Sequence, residues 1–226
     1  AEVARAEGFV ACTADCVPDP GGRDALVILW FRADAPPSYR FLFREEPRYL
    51  LLRLALERRS IQRSLHRAAT VDALTGLANR ARFFDVVEHR RLGPCALLYL
   101  DLDDFKPVND AHGHRTGDAV LAEIGRRLLT NVRDGDVAAR IGGDEFAVYC
   151  PGVDAAEAEA IAERIRLSVA EPVDLPEGRM TVGSSVGVAV STRGLTPLTD
   201  LLDAADRLLY ETKRSGKQGC RTAEVG

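Results

Sequence analysis

The chain has 226 residues, of which 46% are hydrophobic and 28% charged. That balance is globular, and it excludes a fibrous or wholly disordered protein. With 34 acidic and 30 basic residues the net charge is -4, which disfavours a broadly basic nucleic-acid binder but not a local basic site. No apolar run approaches the roughly 20 residues of a membrane span, and Arg53 interrupts the greasiest stretch, 49–56. There is no signal peptide, and the first residue is Ala rather than Met, so the sequence reads as a piece of something longer. The cysteines (12, 16, 95, 150 and 220) are odd in number and scattered, which points to a reducing, cytoplasmic compartment rather than a disulfide framework. Cys12 and Cys16 are the one close pair, and a zinc site would need a second cluster.

Residues 1–46 read as the tail of a domain. The run Ala25–Phe31 lies between Gly21-Gly22 and Pro36-Pro37 and suits a buried strand; Gly8–Cys12 is a second candidate. Two strands are too little for a self-sufficient sensor fold, and the segment resembles the C-terminal end of a GAF-type sensor. Residues 47–70 read as one helix. Leu51, Leu54, Ile61, Leu65 and Ala68 form a heptad-like stripe, with Arg58 in its one polar slot. Two readings stand for it: a helix packed on its own domain, or a parallel dimer stalk between a sensor and an output domain.

From residue 71 the periodicities alternate. Asn79 can cap a helix carrying Phe83, Phe84 and Val87. Cys95–Leu100 is a continuous apolar strand ending at Asp101. Val120, Leu121, Ile124, Leu128 and Leu129 mark an amphipathic helix. Short strands over 137–140 and 146–150 flank Gly142-Gly143, and Asp154 with Glu157 reads as a capping box. A strand lies within 180–190, and a helix starts at Thr196-Pro197 and stops near Gly216. Between 95 and 190 the order is strand, helix, strand, strand, helix, strand, which is the ferredoxin-like βαββαβ pattern of an α+β fold.

That topology predicts a site. In a right-handed crossover the second strand runs parallel to the first, so the Gly142-Gly143-Asp144 turn falls at the same sheet end as Asp101. Glu145 is adjacent. Three crowded carboxylates repel unless a cation sits among them, and hard oxygen ligands suit Mg²⁺ or Mn²⁺ carrying substrate phosphates. The paired glycines allow positive φ and close approach of a ligand.

Arg140–Phe146 contains the string GGDEF, a chance match on the order of 10⁻⁴ in this length. It has company in the right order. Asp72–Arg80 resembles the entry motif DxLTGLxNR of the GGDEF family, Asp101–Lys106 its metal strand, Asn109–Asp118 its nucleotide loop, and Ser185–Ala189 its last core strand. Over roughly residues 70–220 the chain resembles a GGDEF-family diguanylate cyclase. Such an enzyme condenses two GTP into cyclic di-GMP and two pyrophosphates. The resemblance implies a ferredoxin-like nucleotidyl-cyclase domain over 71–226, a signalling helix over 47–70 and a partial sensor over 1–46.

The resemblance also implies roles. Asp101, Asp144 and the Leu102 carbonyl match metal ligands, Asp144 also matching the proton acceptor for the attacking 3′-hydroxyl. Glu145 supports that site, and Lys106 matches the cation stabilising the transferring phosphate. Asn109 and Asp118 match guanine readers; a carboxylate accepts from guanine N1–H and amine, a donor pair adenine lacks there. His114 matches a phosphate contact, as do Gly142 and Gly143. Lys213 and Lys217 match a C-terminal basic pair on the terminal phosphates. Arg is common at the second position, so Lys217 keeps the charge but loses the bidentate fork. Arg133 and Asp136 fit an RxxD product-inhibition site for cyclic di-GMP. A two-fold product implies a homodimer, each protomer presenting one GTP. Two rivals stand beside this reading. A binding module that has lost catalysis would show erosion at Asp101, Asp144, Glu145 or Lys106, and none is seen. A cyclase making another nucleotide is opposed by Asp118.

Overall fold

The computed structural model describes residues 11–17, 25–31, 47–90, 93–176, 178–193 and 196–226. The chain divides into two compact units, Ala1–Arg67 and Ala68–Gly226. In the first, β1 (Ala11–Val17) pairs antiparallel with β2 (Ala25–Phe31) in the register Ala14↔Ile28. Of the strand expected over 8–12, residues 11 and 12 lie in β1, and residues 8–10 lie outside the described ones. Helix α1 spans Pro47–Thr70. Its stripe residues Leu54, Ile61 and Leu65 are all exposed.

The second unit is built on a six-stranded sheet. Its elements are β3 (Ala78–Asn79), α2 (Arg80–Arg90), β4 (Cys95–Asp103), α3 (Phe105–His112), α4 (His114–Asn131), β5 (Val137–Gly142) and β6 (Glu145–Pro151). Then follow α5 (Ala155–Ala170), β7 (Val173–Leu175), β8 (Gly178–Met180), β9 (Gly183–Ser191), α6 (Leu198–Arg214) and β10 (Cys220–Glu224). The spatial order is β10-β9-β4-β6-β5-β3, with β7-β8 a separate hairpin. The central four strands carry the ferredoxin-like order, β4 lying antiparallel between β9 and β6.

The continuous apolar run of β4 has a physical cause: the sheet is covered on both faces. On one side Leu98, Leu100, Val148 and Val188 pack with Ile124 and Leu128 of α4 and Ala162 and Ile165 of α5. On the other, Leu97, Ala147, Tyr149 and Ala189 pack with Phe83 and Val87 of α2 and Leu201 and Ala205 of α6. The second helix layer is an addition to the plain βαββαβ pattern. Both expected caps form. Asn79 Oδ1 accepts from Arg82 N at 2.9 Å. Asp154 and Glu157 close a reciprocal capping box at 2.8 and 3.1 Å.

The strand expected within 180–190 is present as β9 from Gly183, while Met180 belongs to the β7-β8 hairpin. Two features depart from the expectation. The stretch 109–118 is two helices broken at Gly113 (φ 83), not a loop. Strands β3 and β10 extend the sheet at its edges; both are too short for a periodic signal. Arg127 of α4 also takes an unexpected part. Buried to 7% exposure, it donates to the carbonyls of Ser168, Val169, Glu171 and Pro172, satisfying the open C-terminal end of α5. No helix among the described residues is long and apolar enough to cross a membrane.

Candidate active site

β4 sets out the acids. Alternation puts Asp101 and Asp103 on the same face as Leu97, the face covered by α6. Asp101 stands directly opposite Glu145 in the β4–β6 ladder. The turn between β5 and β6 is pinned to the same place, since Leu102 N–H donates to the Asp144 carbonyl at 3.2 Å. The Asp101 carboxyl is pushed above the ordinary range, first by burial, while Lys213 opposes the shift and the charges of Asp144 and Glu145 add to it. Lys213 Nζ reaches Asp101 Oδ2 at 2.7 Å. Glu145 in turn accepts a 3.3 Å bond from the Tyr99 hydroxyl, whose pKa is pushed up to about 12 by burial and then by the Glu145 charge.

A cleft of about 330 Å³ opens beside this cluster. It is lined by Lys106 and Asn109 of α3, His114 and Asp118 of α4, and Gly143 and Asp144 of the turn, together with Phe105, Leu121 and Arg140. The break at Gly113 makes this possible, because it folds α3 back on α4 so that residues nine apart face one space. Asp101, Glu145, Lys213 and Lys217 are not on the lining.

Asp103 and Asp104 hold the segment after α6. Asp103 is 5% exposed and accepts from Ser185 Oγ at 2.8 Å and from Gln218 N at 3.0 Å. Asp104, at φ 55, takes Lys217 Nζ at 2.6 Å. Lys217 and Gln218 are themselves left-handed, at φ 63 and 50. Both lysines expected on phosphates are thus paired with acids of the β4 end.

Arg133 lies at the opposite end of the β5–β6 hairpin from the glycine turn, about 20 Å away at the rise of a six-residue strand. Its backbone N–H donates to Asp136 Oδ2 at 3.0 Å, and its guanidinium donates to Asp136 Oδ1 and the Pro151 carbonyl at 3.4 and 2.8 Å. Arg164 of α5 is close by, donating to the Asn131 carbonyl at 2.9 Å. Burial pushes the nearby Cys150 thiol up to about 12, with Asp136 adding to the shift and both arginines opposing it.

The sequence reading missed a brace across the site. Arg140 donates twice to the Gly143 carbonyl, at 2.8 and 2.9 Å, and reaches both Asp72 carboxylate oxygens at 3.4 Å. Burial works to raise the Asp72 pKa, but bonds from Thr75 and the Arg140 charge outweigh it and hold the carboxyl below its ordinary value. Arg140 stands two residues before the signature and Asp72 begins the entry motif, so the signal lay beside one motif and at the head of the other.

All the oxygens offered near Asp101 are hard donors. Among the described residues no group of three or more His, Cys, Asp or Glu forms a metal cluster. A set of two carboxylates and one carbonyl needs no third, and the anionic crowding at Asp101 suits a divalent cation.

Fold and site together define a nucleotidyl-cyclase type of α+β domain. Residues 69–219 match the family described as diguanylate cyclase, GGDEF domain, and the chain belongs to that family. It is 40% identical over 179 residues to the response regulator PleD of Caulobacter vibrioides (strain NA1000 / CB15N), covering 75% of this chain and 38% of PleD. It is 39% identical over 173 residues to the diguanylate cyclase TpbB of Pseudomonas aeruginosa (strain UCBPP-PA14), covering 72% and 39%. A crystal structure of the coiled coil and GGDEF domain of DgcB from Caulobacter crescentus, in complex with c-di-GMP, superposes with a TM-score of 0.67 at 29% identity, covering 77% of this chain and 99% of that one. The chain spans less than half the length of these curated relatives.

Proposed function

We propose that this chain condenses two GTP molecules into cyclic di-GMP, with release of two pyrophosphates, as a homodimer. The observation that carries this is the single cleft bringing Asn109 and Asp118 together with Lys106, His114, Gly143 and Asp144. Its lining offers two kinds of chemistry. Asn109 and Asp118 offer an amide and a carboxylate, a match for the hydrogen-bonding edge of guanine. The rest of the lining offers a lysine, a histidine and turn backbone to a triphosphate.

The side chains of Asp101 and Asp144 and the Leu102 carbonyl are the groups that would hold Mg²⁺ or Mn²⁺. Such an ion, when bound, neutralises charge on the phosphates and on the forming alkoxide. The chain's own residues do the rest. Asp144 takes the proton of the 3′-hydroxyl as its oxygen bonds to the α-phosphorus of the GTP held by the other protomer. The bond to pyrophosphate breaks, and Lys106 balances charge on the transferring group. A second identical step closes the ring. Glu145, steadied by Tyr99, keeps the acid cluster in shape.

We assign catalysis to residues 71–226, a dimer stalk to 47–70 and a partial sensor to 1–46. The exposed Leu54, Ile61 and Leu65 stripe supports pairing of α1 with a second copy. Arg133 and Asp136, with Arg164 beside them, are assigned to feedback binding of the product. GTP as substrate places the domain in the cytoplasm. The test is incubation with GTP and Mg²⁺ and identification of the product by mass. Cyclic di-GMP from the wild type and none from Asp144→Ala supports the assignment. GTP binding without turnover would make the domain a sensor, and another cyclic product would overturn the substrate reading.

A further inference from the structure

Gly117 is out of place on local grounds. It lies inside α4, where glycine weakens a helix relative to alanine. It is not among the residues with positive φ, so its own backbone does not require glycine. It is buried, and the reason for it is its neighbour. A Cβ at 117 would fall 1.9 Å from Asn109 Oδ1, 2.9 Å from Asn109 Cγ and 3.1 Å from Phe105 Cζ. The Asn109 carboxamide therefore rests on the bare backbone of α4, in the volume a side chain would fill.

Asn109, Phe105 and the next residue in sequence, Asp118, all line the cleft. We propose that Gly117 is a positioning residue for nucleotide recognition: its missing side chain seats the Asn109 carboxamide beside Asp118, so that the two read the base together. This rests on the reading of Asn109 and Asp118 as the guanine readers of the cleft. Gly187 shows the contrast. A Cβ there would meet the Ala205 carbonyl at 2.0 Å, and that is helix backbone, which cannot turn aside. At 117 the nearest obstacle is the end of a short polar side chain, which rotates away, and the buried Phe105 ring at 3.1 Å must give by a few tenths of an ångström. The cost of a methyl group at 117 therefore falls mainly on recognition, with a small share on the packing of Phe105.

The test compares Gly117→Ala, Asn109→Ala and the double variant in the full chain. Binding of a GTP analogue with a methylene bridge between the α- and β-phosphates is measured with Mg²⁺, alongside thermal melting and steady-state kinetics. Gly117→Ala is expected to melt close to the wild-type temperature, because the helix preference of alanine offsets the small shift asked of Phe105. Analogue binding is expected to weaken about tenfold, the size of one lost polar contact to the base. KM is expected to rise by the same factor with kcat within twofold, since the base is remote from the reacting atoms. Selectivity for GTP over ATP falls. The double variant binds no more weakly than Asn109→Ala alone, because both changes remove the same contact.

Wild-type binding by Gly117→Ala, with weakened binding by Asn109→Ala, would overturn the inference and leave the guanine reading intact. Additive losses in the double variant would overturn it too, since Gly117 would then act by another route. Wild-type binding by Asn109→Ala would remove the guanine reading and the inference with it. If Gly117→Ala does not fold, recovery of folding in the double variant supports the steric pairing with Asn109, and failure to recover overturns it.

Discussion

Asp103→Ala tests how the acid end of β4 shapes the site. The carboxylate is 5% exposed and accepts one bond from Ser185 Oγ and one from Gln218 N. Hydrogen bonds to a charged acceptor contribute about 1.5–3 kcal/mol each. Lys217 and Gln218 both sit in the left-handed region, which costs a non-glycine residue roughly 1–2 kcal/mol each, or about 2–4 kcal/mol for the pair. The Gln218 bond is thus comparable with the strain it offsets. Without it the segment relaxes and Lys217 leaves its place. After relief of the buried charge is allowed for, a net loss of about 2–4 kcal/mol is expected, or roughly 4–16 °C in the melting midpoint for a domain of this size. KM for GTP should rise about tenfold. Asp103→Asn keeps one acceptor oxygen and should show about half of each effect. Calorimetry and initial-rate kinetics read both quantities. An Asp103→Ala protein with the wild-type midpoint and KM would refute the account of the clasp.

Three other outcomes follow from the structure. Glu123 is held down to about 2 by hydrogen bonding from Arg126 and then Arg127, so its folded pKa lies below the unfolded one. The stability it contributes is present above about pH 4.5 and is lost as pH falls towards 2. With solvent screening at the exposed Arg126 the loss is about 1 kcal/mol, read by urea titration at pH 5 and pH 2.5 and absent in Glu123→Gln. Arg133→Ala should keep the uninhibited rate and lose inhibition by added cyclic di-GMP, because Arg133 lies about a strand length from the glycine turn. Ile61→Asp puts a charge into the exposed stripe of α1; specific activity should then fall on dilution at enzyme concentrations where the wild type is unaffected.

The central strands were legible because a sheet covered on both faces writes unbroken apolar runs, as in Cys95–Leu100 and Phe146–Cys150. The caps at Asn79 and Asp154 were legible because their chemistry is local. The break at Gly113 was not. Helix α3 carries Lys106, Pro107, Asn109 and Asp110 with little apolar stripe to announce it, and only Phe105 is buried. The roles of Asp103 and Asp104 were invisible for another reason: Ser185 lies 82 residues from Asp103, and Lys217 and Gln218 lie 113 and 115 residues from their acids, in a segment whose backbone is left-handed at two ordinary residues. No periodicity records such a bend. The same holds for Gly117, whose neighbour Asn109 reaches it only because α3 folds back on α4.

The pairing of Asp101 with Lys213 and of Asp104 with Lys217 bears on how a triphosphate would be held. A lysine ammonium is strongly hydrated, and stripping it without a partner is costly. Here each lysine already has an anionic oxygen at 2.6–2.7 Å. Phosphate oxygens offer the same kind of partner, so binding exchanges one ion pair for another. The exchange also leaves a carboxylate on β4 in need of a positive partner, and Asp101 is one of the groups that would hold a divalent ion. On the proposed reading, phosphate capture and ion binding would be coupled through Asp101: each would make the other less costly, and neither lysine would contribute its full Coulombic energy to affinity. A point charge suits such an exchange as well as a guanidinium fork does, because Asp104 receives one bond and not two. That gives Lys217 a physical reason to stand where Arg is common.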